Sequence, residues 1–239
     1  MKALIVIPTY NEKENIVCLS EEVLRQDKEL EILIIDDNSP DGTGDIADRL
    51  AAGNRRIRVM HREGKMGLGT AYILGFKYAL SRPDIDCVFE MDADFSHRPE
   101  YIPDFLKAIE DADLVLGSRY VPGGGVRNWN FARKVISRGG SMFARVMLGL
   151  PARDCAGGYR CYRREALKKI DLETISAEGF GFQVEMLNAC HRAGLRVREI
   201  PIIFPDRERG TTKISKKIII EAFIMVCRLR IKTLMAGRR

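Results

Sequence analysis

Histidine and tryptophan are scarce: the 239-residue chain has three of the first and one of the second. His61, His97 and His191 are scattered, and Cys18, Cys87, Cys155, Cys161, Cys190 and Cys227 form no Cys-x-x-Cys pair, which argues against a zinc site. The cysteines read instead as buried free thiols. With only 9 Pro, 21 Gly and 46% hydrophobic residues, collagen-like, low-complexity and wholly disordered architectures are excluded. Long apolar runs are missing too. The longest in the C-terminal tail, Ile218 to Cys227, is broken by Glu221 and reaches about half of the ~20 residues a membrane-spanning helix needs. At the other end, Ala3 to Ile7 has neither the basic flank nor the cleavage site of a leader, so it is expected to be a first strand and the chain to remain on the cytoplasmic side.

Charge is unevenly spread. Ten Lys or Arg against two Glu put Arg207 to Arg239 at +8, while 29 basic and 31 acidic residues leave the rest at −2. In the tail, Lys213, Lys216, Lys217, Arg228, Arg230 and Lys232 bracket Ile218, Ile219, Ile220, Phe223, Ile224, Met225 and Val226. Cations interleaved with large apolar residues fit an anionic membrane surface, and no aromatic or Gly-rich signature points to nucleic acid. The expected organisation is a catalytic domain over 1–213 and a basic amphipathic helix over 214–239 lying at the membrane interface, with Trp129 as a candidate anchor.

Short β-branched runs alternate with helical patterns in the first half, which predicts a mostly parallel sheet with flanking helices. Strands are expected at Ala3–Pro8, Ile32–Asp36, Ile57–His61, Cys87–Met91 and Leu114–Ser118, and helices at Glu12–Gln26, Asp45–Ala52, Gly69–Leu80 and Pro99–Glu110. Beyond a Gly-rich loop at Pro122–Gly125 come a helix over Ala132–Leu148, a strand at Tyr159–Tyr162, helices at Arg164–Lys169 and Phe182–Ala193, and a strand at Val197–Ile203.

In such sheets ligands bind beyond the carboxyl ends of the strands. The first strand ends Pro8-Thr-Tyr-Asn-Glu12, with no Gly-x-Gly-x-x-Gly, which argues against a dinucleotide-dependent dehydrogenase. Gly64-Lys-Met-Gly-Leu-Gly69 matches neither that fingerprint nor a P-loop, and reads as a turn into a helix. The second strand ends in Asp36-Asp-Asn-Ser-Pro-Asp-Gly-Thr43, where Asp41 to Thr43 suit a turn and cap. After the fourth strand, Asp92 and Asp94 project to the same side and would repel without a hard divalent cation between them. Further on, Arg119, Arg127, Arg133, Lys134 and Arg138 form a cationic set, and Arg133 and Ser137 share a helical face that suits a phosphate.

These residues resemble family 2 inverting glycosyltransferases, and within them the polyprenol (dolichol) phosphate mannosyltransferases, or polyprenol monophosphomannose synthases. The likeness runs through Ile7-Pro-Thr-Tyr-Asn-Glu12, Asp36 to Thr43, Gly67-Leu-Gly-Thr-Ala-Tyr72, Met91-Asp-Ala-Asp94, Gly117-Ser-Arg-Tyr120, Gly157-Gly-Tyr-Arg160 and Gly179-Phe-Gly-Phe-Gln183. Val126-Arg-Asn-Trp129, Arg133-Lys-Val-Ile-Ser137 and Asp206-Arg207 followed by Lys213 resemble the polyprenol-phosphate branch in particular.

The resemblance implies a GT-A-like domain that transfers mannose from GDP-mannose to a polyprenyl phosphate with inversion, aided by Mg2+ or Mn2+, on the cytoplasmic face of a membrane. It implies a nucleoside site of Pro8, Tyr10, Glu12, Ile35 and Asp37, and a diphosphate and metal site of Asp92, Ala93 and Asp94 with Ser96 as a shorter oxygen donor. Arg119, Arg207 and Lys213 would bind diphosphate and sugar, and Arg119, Arg133 and Ser137 the acceptor phosphate, with Asp92, Asp94 and Arg119 carrying the chemistry. A phosphate acceptor is already an anion and needs no general base, which suits a chain so poor in histidine. The same site would serve UDP-glucose or a UDP-amino sugar.

Overall fold

A strand that is apolar at every position needs cover on both faces of its sheet, because alternate side chains point to opposite sides. In the computed structural model, which describes residues 1–177, 179–205 and 223–231, the strands have that cover. From β1 (Ala3–Thr9), Leu4 and Val6 enter one core and Ala3, Ile5 and Ile7 the other. With β2 (Leu30–Asp36), β3 (Ile57–His61), β4 (Cys87–Glu90), β5 (Leu114–Ser118), β7 (Arg160–Arg163) and β8 (Val197–Pro201), it forms a seven-stranded sheet in the order β3-β2-β1-β4-β7-β5-β8. All neighbours are parallel except β7, which runs antiparallel between β4 and β5. This is the GT-A-like α/β architecture expected. Register places Ile5 opposite both Ile32 and Phe89, so the centre of the sheet is apolar and its polar residues gather at the strand ends.

One face is covered by α1 (Ile16–Gln26), α2 (Thr43–Gly53) and α4 (Ile102–Ala108). The other carries α3 (Leu68–Ser81), α5 (Phe131–Leu148), the short α6 (Arg164–Leu167) and α7 (Phe180–Arg192). In α1 the apolar stripe Ile16, Leu19, Val23 and Leu24 is buried. Gly75 brings α3 close to β1: a Cβ there would lie 2.5 Å from Val6 Cγ1, closer than any side chain can be accommodated.

Where expected and observed bounds differ, the cause is local. Helix α1 begins at Ile16 rather than Glu12 because residues 13–15 form a turn closed on the Glu12 carbonyl, which accepts from the Asn15 and Ile16 amides at 3.0 Å. The expected strand Val197–Ile203 divides after Pro201, and β9 (Ile203–Phe204) pairs in parallel with β6 (Gly125–Val126), which starts at the last residue of the expected Pro122–Gly125 loop. Cys87, Cys155, Cys161 and Cys190 are buried free thiols as expected, but Cys18 is exposed and Cys227 half-buried.

Residues 223–231 form a further helix, α8, docked through Val226 and Leu229 against the core beneath α7. Phe223 stacks on Phe143 of α5 at 4.6 Å, while Ile224 and Ile231 face outward. Among the described residues no helix is long and apolar enough to cross a membrane. The expected boundary at 213/214 lies outside the described residues, as do Lys213, Lys216 and Lys217.

Candidate active site

At the ends of β1 and β2 the chain turns sharply, and buried polar groups hold the turns. Asp36 accepts from the Thr9 hydroxyl (3.0 Å), the Ser39 hydroxyl (2.6 Å) and the Ser39 amide (3.0 Å), so its role is to fix these loops. Asp41 accepts from the Thr43 amide and hydroxyl, and Thr43 Oγ1 in turn accepts from the Glu12 amide at 2.9 Å. Asp41 makes the turn the sequence suggests, whereas the cap position of α2 is Gly42, which offers no side chain to the helix end. Asp37 differs. Its Oδ1 takes two donors from Arg62, Nε and a terminal nitrogen, each at 2.5 Å. The same guanidinium donates to the Gly67 carbonyl (2.9 Å) and Thr70 Oγ1 (2.7 Å), tying Asp37 to the start of α3. Tyr10 is exposed nearby with Lys65 Nζ 4.5 Å from its ring centroid, and Pro8 and Glu12 are half-buried beside it.

Beyond β4, Asp92 is held on two sides. Tyr72, fully buried between Phe76 and Phe182, donates its hydroxyl to Asp92 Oδ1 at 3.0 Å, and the Asp92 amide donates to His97 Nδ1 at 2.8 Å. His97 is itself buried and stacked on Tyr159, its Nδ1 committed as an acceptor. Burial and the neighbouring carboxylates push the Tyr72 phenol well above its ordinary pKa, so it stays a donor. Ala93 is buried, and the chain then turns through Phe95 at φ +59°, letting the Ser96 amide donate to Asp94 Oδ1 at 3.0 Å. Ser96 Oγ is buried and has no hydrogen-bond partner. Two carboxylates and an orphaned hydroxyl are oxygen donors, the set a hard divalent cation takes. Among the described residues no three His, Cys, Asp or Glu side chains group into a closed metal site. An ion held here would therefore draw oxygens from a phosphate ligand as well, the usual mode for Mg2+.

Directly beneath, Glu90 of β4 and Arg160 of β7 face each other in register and are completely buried. Glu90 accepts from Tyr162 (2.8 Å) and Gln183 (2.6 Å), and burial pushes its carboxyl up to about 7 against the pull of Arg160. Arg160 donates to the carbonyls of Cys155, Gly157 and Gln183. This network joins β4, β7 and α7 behind the acidic pair.

Opposite stands the cationic group. Arg119, at the end of β5, donates its amide, Nε and a terminal nitrogen to Asp154 at 2.7–3.0 Å, and Asp154 has no exposed surface. Burial alone would lower the guanidinium's pKa, but the Asp154 carboxylate outweighs it; by the same pairing Asp154 stays below the usual carboxylate range. Arg133 follows the cap of α5, where Asn130 Oδ1 accepts its amide at 2.8 Å, and its guanidinium lies 3.9 Å over the ring of Trp129. Ser137, one turn later, accepts from the Tyr120 hydroxyl at 2.7 Å.

Two expectations need correction. Ile35, the penultimate residue of β2, lies wholly inside the core cluster with no exposed surface, so its side chain is not presented to the cleft: it points into a helix-covered face of the sheet. Trp129 is 7% exposed, held between Arg133 and Phe204, and offers no face to a membrane. Arg207 lies outside the described residues, like Lys213. Tyr72, His97, Tyr120, Arg62 and Asp154 were not singled out from sequence, because nothing in their spacing connects them to the acidic or cationic groups they hold.

The family model for glycosyl transferase family 2 matches residues 4–171. An undecaprenyl-phosphate mannosyltransferase of Micrococcus luteus is 48% identical over 228 residues, 95% of this chain and 93% of that one. A polyprenol monophosphomannose synthase of Mycolicibacterium smegmatis is 45% identical over 227 residues, 94% and 85% of the two chains. Among solved structures, glucosyl-3-phosphoglycerate synthase of Mycobacterium tuberculosis with phosphoglyceric acid superposes with a TM-score of 0.69 at 19% identity, covering 95% of this chain and 79% of that one. The same enzyme with Mn2+, uridine diphosphate and glucosyl-3-phosphoglycerate gives 0.67 at 20% identity, covering 95% and 80%. At that identity the likeness is one of fold.

Proposed function

The chain belongs to glycosyl transferase family 2, and from that premise we propose that it transfers mannose from GDP-mannose to a polyprenyl phosphate, inverting the anomeric centre and releasing GDP. The observation that carries the reading is the relation to two enzymes named for mannosyl transfer to polyprenyl phosphates, each at 45% identity or more over nearly the whole chain. An acidic group facing a cationic one across the strand ends supports it further.

In this reading Pro8, Tyr10, Glu12 and Asp37 hold the nucleoside, with Arg62 fixing one oxygen of Asp37. Asp92, Ala93 and Asp94 line the diphosphate, and the two carboxylates with Ser96 hold a divalent ion, Mg2+ or Mn2+. When bound, that ion supplies positive charge to the departing diphosphate. Arg119, Arg207 and Lys213 act on the diphosphate and sugar. Arg133 and Ser137, with Arg119, take the acceptor phosphate. One acceptor oxygen forms its bond to the anomeric carbon from the face opposite the diphosphate, as the carbon–oxygen bond to the diphosphate breaks. No proton has to be removed, and His97, buried with its Nδ1 occupied, is not called upon. What the residues provide is placement and control of charge between two anions.

The acceptor's lipid chain requires a membrane, and the reading is that residues 1–213 are catalytic while 214–239 lie peripherally at the cytoplasmic membrane face. The outer side of α5 supports this. Phe131, Val135, Met142 and Val146, spaced four, seven and four apart, form an exposed apolar stripe, with Lys134, Arg138 and Arg145 in a parallel exposed row. Phe223 and Ile224 of α8 continue the apolar surface. The direct test is Asp94→Asn, expected to abolish transfer in a folded protein, beside Arg133→Ala, expected to raise the KM for polyprenyl phosphate and leave that for the donor unchanged. Normal turnover by folded Asp94→Asn would refute the diphosphate assignment, and a donor-only effect of Arg133→Ala would refute the acceptor assignment.

A further inference from the structure

The chain's single tryptophan sits at the centre of the cationic group. Trp129 is 7% exposed, and its indole Nε1–H is buried without a hydrogen-bond partner. Arg133 covers one face at 3.9 Å, Arg119 lies 5.5 Å from the ring centroid, and Phe204 meets it at 80° and 5.8 Å. Guanidinium groups accept no hydrogen bond, and the face of Phe204 is a weak acceptor at best. Buried polar groups are almost always paired, so an orphaned donor in this place calls for an explanation. Its surroundings supply one. Arg133, the Ser137 hydroxyl hydrogen and the indole N–H are all donors, and among the described residues Asp154 is held by Arg119. The indole N–H itself has no acceptor in the free protein.

We infer that Trp129 is a further acceptor-binding residue, its Nε1–H donating to an oxygen of the phosphate monoester held by Arg133 and Ser137. The inference rests on the acceptor reading given above. Stacking on Arg133 gives the ring a second role: it holds the guanidinium flat at the site while its own edge takes part in binding. The free protein keeps the donor buried and unpaired, and phosphate binding satisfies it.

Because the chain has only one tryptophan, a nitrogen-15 correlation spectrum of the full-length protein contains a single indole signal, which reports on this N–H alone. Titration with geranyl phosphate, a short soluble polyprenyl phosphate, should move that signal downfield and saturably. Geraniol, and GDP with Mg2+, should leave it in place. Trp129→Phe keeps an aromatic face for Arg133 but removes the donor. It should raise the KM for geranyl phosphate about tenfold, the worth of one hydrogen bond to a charged group, with the GDP-mannose KM unaltered. An indole signal indifferent to geranyl phosphate, or one that responds only to GDP with Mg2+, overturns the inference. If that happens while Arg133→Ala still raises the geranyl phosphate KM, the acceptor reading stands without Trp129. If Arg133→Ala leaves that KM unchanged, the acceptor reading itself falls.

Discussion

Arg119 carries its charge into the interior only because Asp154 accompanies it. Removing the carboxylate while keeping its shape, as in Asp154→Asn, leaves a buried cation unpaired and should cost about 3–5 kcal/mol at neutral pH, read from urea denaturation. The pH dependence has a definite sign. Asp154 has a depressed pKa in the fold, so its contribution is fully present above the ordinary carboxylate value of about 4 and is lost as the pH falls through the folded pKa. The gap between wild type and Asp154→Asn should therefore narrow below about pH 4; a constant gap would mean the carboxylate is not ionised in the fold. Tyr72→Phe is a gentler change that keeps the ring between Phe76 and Phe182 and deletes only the bond to Asp92. Loss of such a supporting bond weakens metal-dependent binding by roughly 10–100-fold. Calorimetry of GDP binding with Mn2+ should show this fall against an unchanged melting temperature, whereas equal affinity would mean that Tyr72 does not orient Asp92. Residues of this kind were invisible in the sequence. Asp92 and Asp94 announced themselves by following an apolar strand two apart, but Tyr72, twenty residues upstream, meets them only once α3 packs on the sheet.

Strands and helices were far more legible than the contacts between them. A doubly covered sheet forces apolar runs on β1, β2, β4 and β5, and these run lengths placed every strand of the parallel half to within two residues at each end. The two-residue strands β6 and β9 have no periodicity to read and exist through pairing across almost eighty residues. Gly75, inside α3, decides how closely that helix lies on β1. Gly75→Ala should destabilise by about 1–3 kcal/mol through overpacking against Val6, measurable by thermal denaturation; a neutral result would mean that α3 can withdraw without loss. On the outer side of α5, Met142→Glu with Val146→Glu places two charges in the exposed stripe. Repulsion from anionic lipid on the order of 2 kcal/mol should weaken sedimentation with phosphatidylglycerol vesicles tenfold or more, with activity on geranyl phosphate retained. Undiminished vesicle binding would move the membrane contact away from α5.

Across the whole molecule, charge is divided along the chain, −2 over the first 206 residues and +8 over the last 33. Within the folded body it is divided again, acidic where β4 ends and cationic where β5 leads into α5. A reaction between two phosphate-bearing substrates has use for both arrangements: carboxylates and an ion for the group that leaves, guanidinium groups for the group that arrives, and a basic apolar surface to bring a lipid within reach. The overall class was readable because its acidic and cationic motifs stand at strand ends, whereas the choice of sugar is not legible in those motifs; Arg207 and Lys213, proposed to act on the sugar, lie outside the described residues. One measurement tests the central claim: incubate the full-length protein with a polyprenyl phosphate, Mg2+ or Mn2+, and each of a panel of radiolabelled nucleotide sugars, then extract the lipid. Label should enter the lipid phase from GDP-mannose, only with both metal and polyprenyl phosphate present, as a β-linked mannosyl phosphate with GDP as co-product. Label entering from a UDP-sugar in preference to GDP-mannose, an α-linked product, or release of pyrophosphate in place of GDP would contradict it.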